Sequence, residues 1–283
     1  MIKNDIFEKQ NEKHMLDILY AQRHYYNIAN ILDNINILLT FFVCVFDFLE
    51  INNPIIKLLV NGVCGVIIFI ITHIIKDCVK KGADLKKYFD YKLYAFEGIT
   101  KQFENNCKKN IYNVLQKHNR SYQQQISNDG NSRPPGLKNW YFDERETKRL
   151  NIIKSTQSQN IKWDEKISKI YLIIVISLMV LSFVAYLITY TLMRFNTIEF
   201  FAGLISFVSF FYYLSEKIVS YFKINKYVYC AKILLNKAKN DTDLLEIQEI
   251  IDKRRHENFC PLNIIHKVIS KSFHEEIKYI SEK

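Results

Sequence analysis

The chain has 283 residues, 49% of them hydrophobic, with only seven Gly and four Pro against 20 Phe and 18 Tyr. So few helix breakers point to long helices and an all-α class. The net charge of +10 fits an anionic membrane surface as well as a nucleic acid. There is no phosphate-cradling Gly-rich loop, no GxSxG, no HExxH, and the seven His are scattered, which argues against a membrane-bound hydrolase or transferase.

Mean hydropathy is −0.09, because apolar blocks are diluted by Lys- and Asn-rich ones. The N-terminal MIKNDIFEKQ has no short apolar core before a small-residue cleavage site, so the first apolar segment is expected to remain in the mature chain. Residues 1–34 read as an amphipathic cytosolic helix, with Ile6, Met15, Leu16, Leu19, Tyr26, Ile28 and Ile31 among charges. Residues 35–76 read as a first transmembrane hairpin. Its two limbs are INILLTFFVCVFDFL and Leu58 to Ile75, joined by a short link in which Pro54 suits a first helical turn.

Residues 77–169 turn polar and form a central cytosolic helical module, divided by the loop NDGNSRPPG at 128–136. Residues 170–215 supply a second hairpin. Its first limb, Ile170 to Met193, contains no charge, no Gly and no Pro. At about 1.5 Å per residue that helix is roughly 36 Å long, enough for a hydrocarbon core of about 30 Å. The second limb is IEFFAGLISFVSFFYYLS. Residues 216–283 form a C-terminal cytosolic helical region, with N-cap chemistry at Asn240-Asp241-Thr242-Asp243 and a further break at Pro261.

Of the 39 Lys and Arg, only Lys57 and Arg194 fall at the two hairpin tips, with Lys76 at an inner boundary. The positive-inside rule then places both termini and the central module in the cytoplasm. The six Cys show no CxxC and read as reduced thiols. No metal or cofactor is expected.

Polar and small residues form stripes in the spans: Asn61, Gly65 and Thr72; Ser182, Tyr186 and Thr189; Ser206, Ser209 and Tyr213. Such residues either line water or pack helix against helix through close backbones and hydroxyl bonds. Four helices per chain enclose little room, so an aqueous path needs a homo-oligomer. Asp47 and Lys57 stand near the outer span ends, placed to pair or to snorkel, and His73 stands near an inner end. In the cytosolic part, Trp140, Tyr141, Trp163 and Arg255 are the aromatic and cationic groups able to stack on a base or pair with a phosphate. The ordinary alternative for each is a hydrophobic anchor or a structural ion pair.

Several short motifs resemble the SMODS-associated four-transmembrane effector family of bacterial antiphage nucleotide-signalling systems. They are Ala21-Gln22-Arg23 with Tyr26 and Ala29, Phe89-Asp90, and Asn139-Trp140-Tyr141 with Asp143. Gln157, Asn160, Trp163 and Asp164 follow, then Ile247-Gln248 with Ile251, Arg255 and Pro261. The chain departs from the family pattern at Thr156-Gln157-Ser158, where Cys-Gln-Arg is usual, and at Asp252, where an aromatic is usual.

The resemblance implies a bacterial inner-membrane effector that responds to a cyclic nucleotide made by a partner nucleotidyltransferase. It would then permeabilise the bilayer as an oligomeric pore, with no nucleic-acid polymer as partner. The alternative is a non-conducting receptor or scaffold that relays the signal to another protein.

Overall fold

The computed structural model describes residues 3–47, 54–117, 119–129, 132, 136–141, 148–193, 197–257 and 259–260. Eight α-helices account for these residues almost entirely: α1 (Lys3–Lys9), α2 (Lys13–Asp47), α3 (Pro54–Tyr94), α4 (Lys101–Lys117), α5 (Asn119–Ser127), α6 (Arg149–Met193), α7 (Thr197–Lys237) and α8 (Asp241–Arg255). No strand occurs among the described residues. The all-α expectation holds.

Among the described residues, three helices are long and apolar enough to cross a membrane: α2, α3 and α6. Their apolar halves turn large side chains outward, with Leu58 73% and Leu192 76% exposed. In water that arrangement would be costly, whereas lipid tails accept it. The fourth expected span falls on α7, where the side chains of residues 198–200, 202–203, 205–206 and 209 lie outside the described residues. So do the links at 48–53 and 194–196 and the side chain of Asp47, and with them its expected pairing with Lys57.

The divisions expected at 34/35, 76/77, 169/170 and 215/216 all fall inside helices. α2, α3, α6 and α7 each pass from a polar half into an apolar half without a break. α2 lies along α3 and α6 lies along α7, and α2 also touches α7. Away from the apolar halves, α4, α5 and α8 pack on these rods around a core of Met15, Leu19, Leu85, Phe89, Ile152, Ile153, Leu244 and Ile247.

Helix ends follow local chemistry. α3 stops where Ala95 takes φ 53°, and the Phe96 amide donates to the Tyr91 carbonyl at 3.0 Å. α8 starts with a reciprocal capping box between Asn240 and Asp243, as the sequence signals. After α5 the chain folds back on itself. The amides of Leu137 and Lys138 each donate to the Asn128 carbonyl at 3.1 Å. A Cβ on Gly136 would sit 1.7 Å from that same carbonyl oxygen, so the return requires glycine there. It delivers Trp140 and Tyr141 to the core.

Candidate functional site

A buried polar cluster joins four parts of the chain where the polar halves of the helices meet. Its centre is Asp90, fully buried on α3. One carboxylate oxygen accepts from Lys86 Nζ and from the Tyr141 hydroxyl, each at 2.8 Å. The other accepts from Arg255 Nη1 at 2.7 Å and Gln248 Nε2 at 3.2 Å, both on α8. Lys86 and Asn160 of α6 each donate to the Tyr141 hydroxyl at 2.8 Å. Arg255 and Gln248 also donate to Asp252 at 3.1 Å, and Gln157 of α6 donates to the Leu244 carbonyl at 2.8 Å. Burying such charges is tolerable only because each has at least two hydrogen-bond partners.

Electrostatics sharpen the picture. These groups lie beyond the apolar stretch that ends at Ile75 on α3, and before the one that begins at Ile170 on α6. Burial lowers Lys86 to about 8, against the pull of Asp90. For Asp90 burial opposes ionisation, but Lys86 and Arg255 outweigh it and hold the carboxyl below its ordinary range. Burial also works against the charge of Arg255, yet Asp90 and Asp252 keep it firmly protonated. Asp252 is pushed up to about 6, by burial first, with Arg255 opposing and Asp90 adding like-charge repulsion. At the rim, His256 Nε2 lies 2.8 Å from Asp84 and its Nδ1 2.8 Å from the Asp252 carbonyl, a second tie between α3 and α8.

Of the four residues expected to hold a ligand, three gather here. Tyr141 and Arg255 are buried with their polar groups engaged by the protein. The Tyr141 backbone is also clamped by Gln10, through its amide at 2.9 Å and its carbonyl at 3.1 Å. Trp140 is half-buried, with Lys86 Nζ 5.2 Å and Arg23 Cζ 5.9 Å from its ring centre. Arg23 in turn donates to the Gly136 carbonyl at 2.9 Å and Gln125 at 3.1 Å. Trp163 is half-buried against the main core, beside Asp164, which pairs with Arg254 at 2.9 Å.

The span stripes separate into different environments. Thr72 accepts from Asn36 Nδ2 at 3.0 Å and donates to the Ile68 carbonyl at 2.8 Å, joining α3 to α2. Asn61 is half-buried on α3. Ser182 is buried and donates to the Met179 carbonyl at 2.9 Å; the Tyr186 ring stands 5.2 Å from Phe207 of α7. Thr189 is half-buried and donates to the Ala185 carbonyl at 2.9 Å. Tyr213 donates to Asp33 at 2.6 Å. Ser206 and Ser209 lie on α7 with side chains outside the described residues, and Asp143 and Pro261 lie outside the described residues altogether.

Sequence reasoning met Asp90 only as part of the Phe89-Asp90 motif, without a role, and gave none to Lys86 or to the buried pair of Asp33 and Lys217, whose charged atoms lie 2.6 Å apart. The available signal was charge inside apolar runs: Asp33 in IANILDNINILL, and Lys86 with Asp90 at i,i+4 between Leu85 and Phe89.

Compared with known proteins, residues 4–282 match the SMODS-associating 4TM effector domain, essentially the whole chain. The chain belongs to that family. It is therefore a membrane effector associated with SMODS systems, and the family ties it to bacterial nucleotide signalling. No curated protein and no solved structure matches it. Within this effector, Phe89-Asp90, Tyr141, Asn160, Gln248 and Arg255, scattered along the sequence, are the residues that build one buried cluster.

Proposed function

We propose that this effector is a signal-gated permeabiliser of the bacterial inner membrane, with both termini in the cytoplasm and four spans in two hairpins, of which α7 supplies the fourth. The observation that carries the reading is continuity. α3 and α6 run unbroken from the buried cluster into their apolar halves, so a change in cluster packing moves membrane helices directly.

The signal is a cyclic nucleotide from a partner nucleotidyltransferase, and Trp140 is its first contact because it is only half-buried and its ring stands beside Lys86 and Arg23. Tyr141 and Arg255 become available only when α8 or the 136–141 return lifts away. A ligand shifts that equilibrium only through unequal affinity for the docked and undocked arrangements. Several copies then enclose the aqueous path.

Depolarisation of cells expressing the chain with its nucleotide source tests the reading, alongside nucleotide binding by the purified wild type and Trp140→Ala. Depolarisation that needs the source, with binding weakened by the substitution, is expected. Binding without depolarisation would leave a non-conducting receptor that relays the signal to a partner protein.

A further inference from the structure

α7 carries two apolar faces. One, with Leu214, Ile224 and Val228, enters the core. The opposite face is bare: Val208 59%, Tyr212 64%, Val219 54%, Phe222 63%, Tyr229 64% and Ile233 37% exposed. With Ser215 and Lys226 filling the gaps, the stripe steps alternately by four and three residues from 208 to 233. That is the period of 3.5 that defines a coiled-coil seam.

Lipid covers such a face as far as Ser215. Beyond it α7 carries Glu216, Lys217, Lys223, Lys226 and Lys232, and each charge would cost roughly 3 kcal/mol at a bilayer centre. The stripe nonetheless continues for roughly 27 Å past Ser215. Outside the spans and their outer link, the other large apolar side chains left exposed among the described residues are Ile31 and Tyr112. Scattered surface hydrophobics need no explanation, but a row at one helical phase does.

We propose that this row is a seam between copies of the chain, in which α7 lies parallel and in register with α7 of a second copy. Three observations favour a copy of this chain over another partner. All copies enter one membrane in the same orientation, so a symmetry axis along the membrane normal sets identical helices side by side. The seam keeps one phase through the boundary at Ser215, and the membrane half cannot be covered by a soluble protein. Lys226 occupies a single core position of the repeat, a polar device that fixes register and restricts strand number at some loss of stability. The inference rests on residues after 215 lying outside the bilayer, and it adds the surface by which the proposed pore assembles.

The test uses full-length chain in lipid nanodiscs, mixed from light- and heavy-nitrogen preparations, with a photoreactive benzoylphenylalanine at Phe222. Cross-linked peptides joining residues 219–233 of a light chain to the same stretch of a heavy chain are expected. With the probe at Val219, Phe222→Glu combined with Tyr229→Glu should abolish that product while helicity by circular dichroism stays intact. Cross-links only within one chain, including to residues 261–283, or only to lipid, would overturn the seam, as would no cross-link at all. Conductance of the same preparation with its nucleotide source separates the two readings. A cross-link between copies without conductance removes the pore and keeps the seam, and conductance without that cross-link does the reverse.

Discussion

Asp33 of α2 and Lys217 of α7 meet at 2.6 Å across 184 residues of sequence, each almost fully buried, with the Tyr213 hydroxyl bonded to the same carboxylate oxygen. The pair stands where the polar halves of both helices give way to the apolar ones, and it ties α2 to α7 through charge. Lys217→Met would leave Asp33 buried and uncompensated. A loss of about 3 to 5 kcal/mol is expected, with Asp33→Leu in the same chain recovering most of it. Thermal unfolding in nanodiscs measures both. In cells, the single variant should leak without any signal, and a wild-type resting potential would show that the tie does not hold the closed packing.

Arg255→Met strips Asp90 of its strongest partner on α8 while Lys86 and Tyr141 remain. Amide exchange should accelerate throughout α8 and at Tyr141, with a stability loss on the order of 3 kcal/mol. Exchange confined to the last turn of α8 would mean that Gln248 and the apolar contacts of Leu244 and Ile247 hold the helix unaided.

Docking of α8 should weaken as pH rises from about 5.5 to 8. The His256 pKa is raised by its bond to Asp84, against burial, so its stabilising contribution is complete below the ordinary histidine value and lost as pH climbs through the folded one. Asp252, raised to about 6 chiefly by burial, acts in the same direction, since above that value the folded state carries a charge it disfavours. Asp90 has the opposite sign, but its lowered pKa confines its effect to pH below the ordinary carboxylate range. Protection factors of α8 amides at the two pH values provide the measurement. His256→Gln should flatten the part of the slope above pH 6.5.

Gly136→Ala places a methyl group against the Asn128 carbonyl, where 1.7 Å is available. The return of the chain must open, at a cost on the order of 3 kcal/mol, and Trp140 with Tyr141 should come free. Tryptophan emission moving to the red, together with weaker nucleotide binding, is the expected outcome. Unchanged emission would show that the return tolerates another path.

Periodicity and charge made the membrane-crossing parts legible. Ile170 to Met193 is longer than the roughly 10 to 14 apolar residues of a buried core helix, the competing reading, and the capping chemistry at Asn240 announced α8. The buried cluster was less legible, because its members come from α3, α6, α8 and a loop, and no local pattern states that Asp90 and Arg255 will meet. Family resemblance marked Tyr141 and Arg255, but not the protein groups to which burial and bonding tie them. The polar stripes divided for a similar reason. Spacing puts Thr72 on a face of α3, yet only packing shows that the face meets Asn36.

α6 spans 45 residues and includes no Gly or Pro. It therefore has no joint at which to bend, and about 67 Å of helix must swing as one lever. A pivot of only about 5 degrees at its polar end would carry the far tip about 6 Å, more than the radius of a hydrated ion, so a small shift around Asn160 is amplified at the apolar end of the same helix.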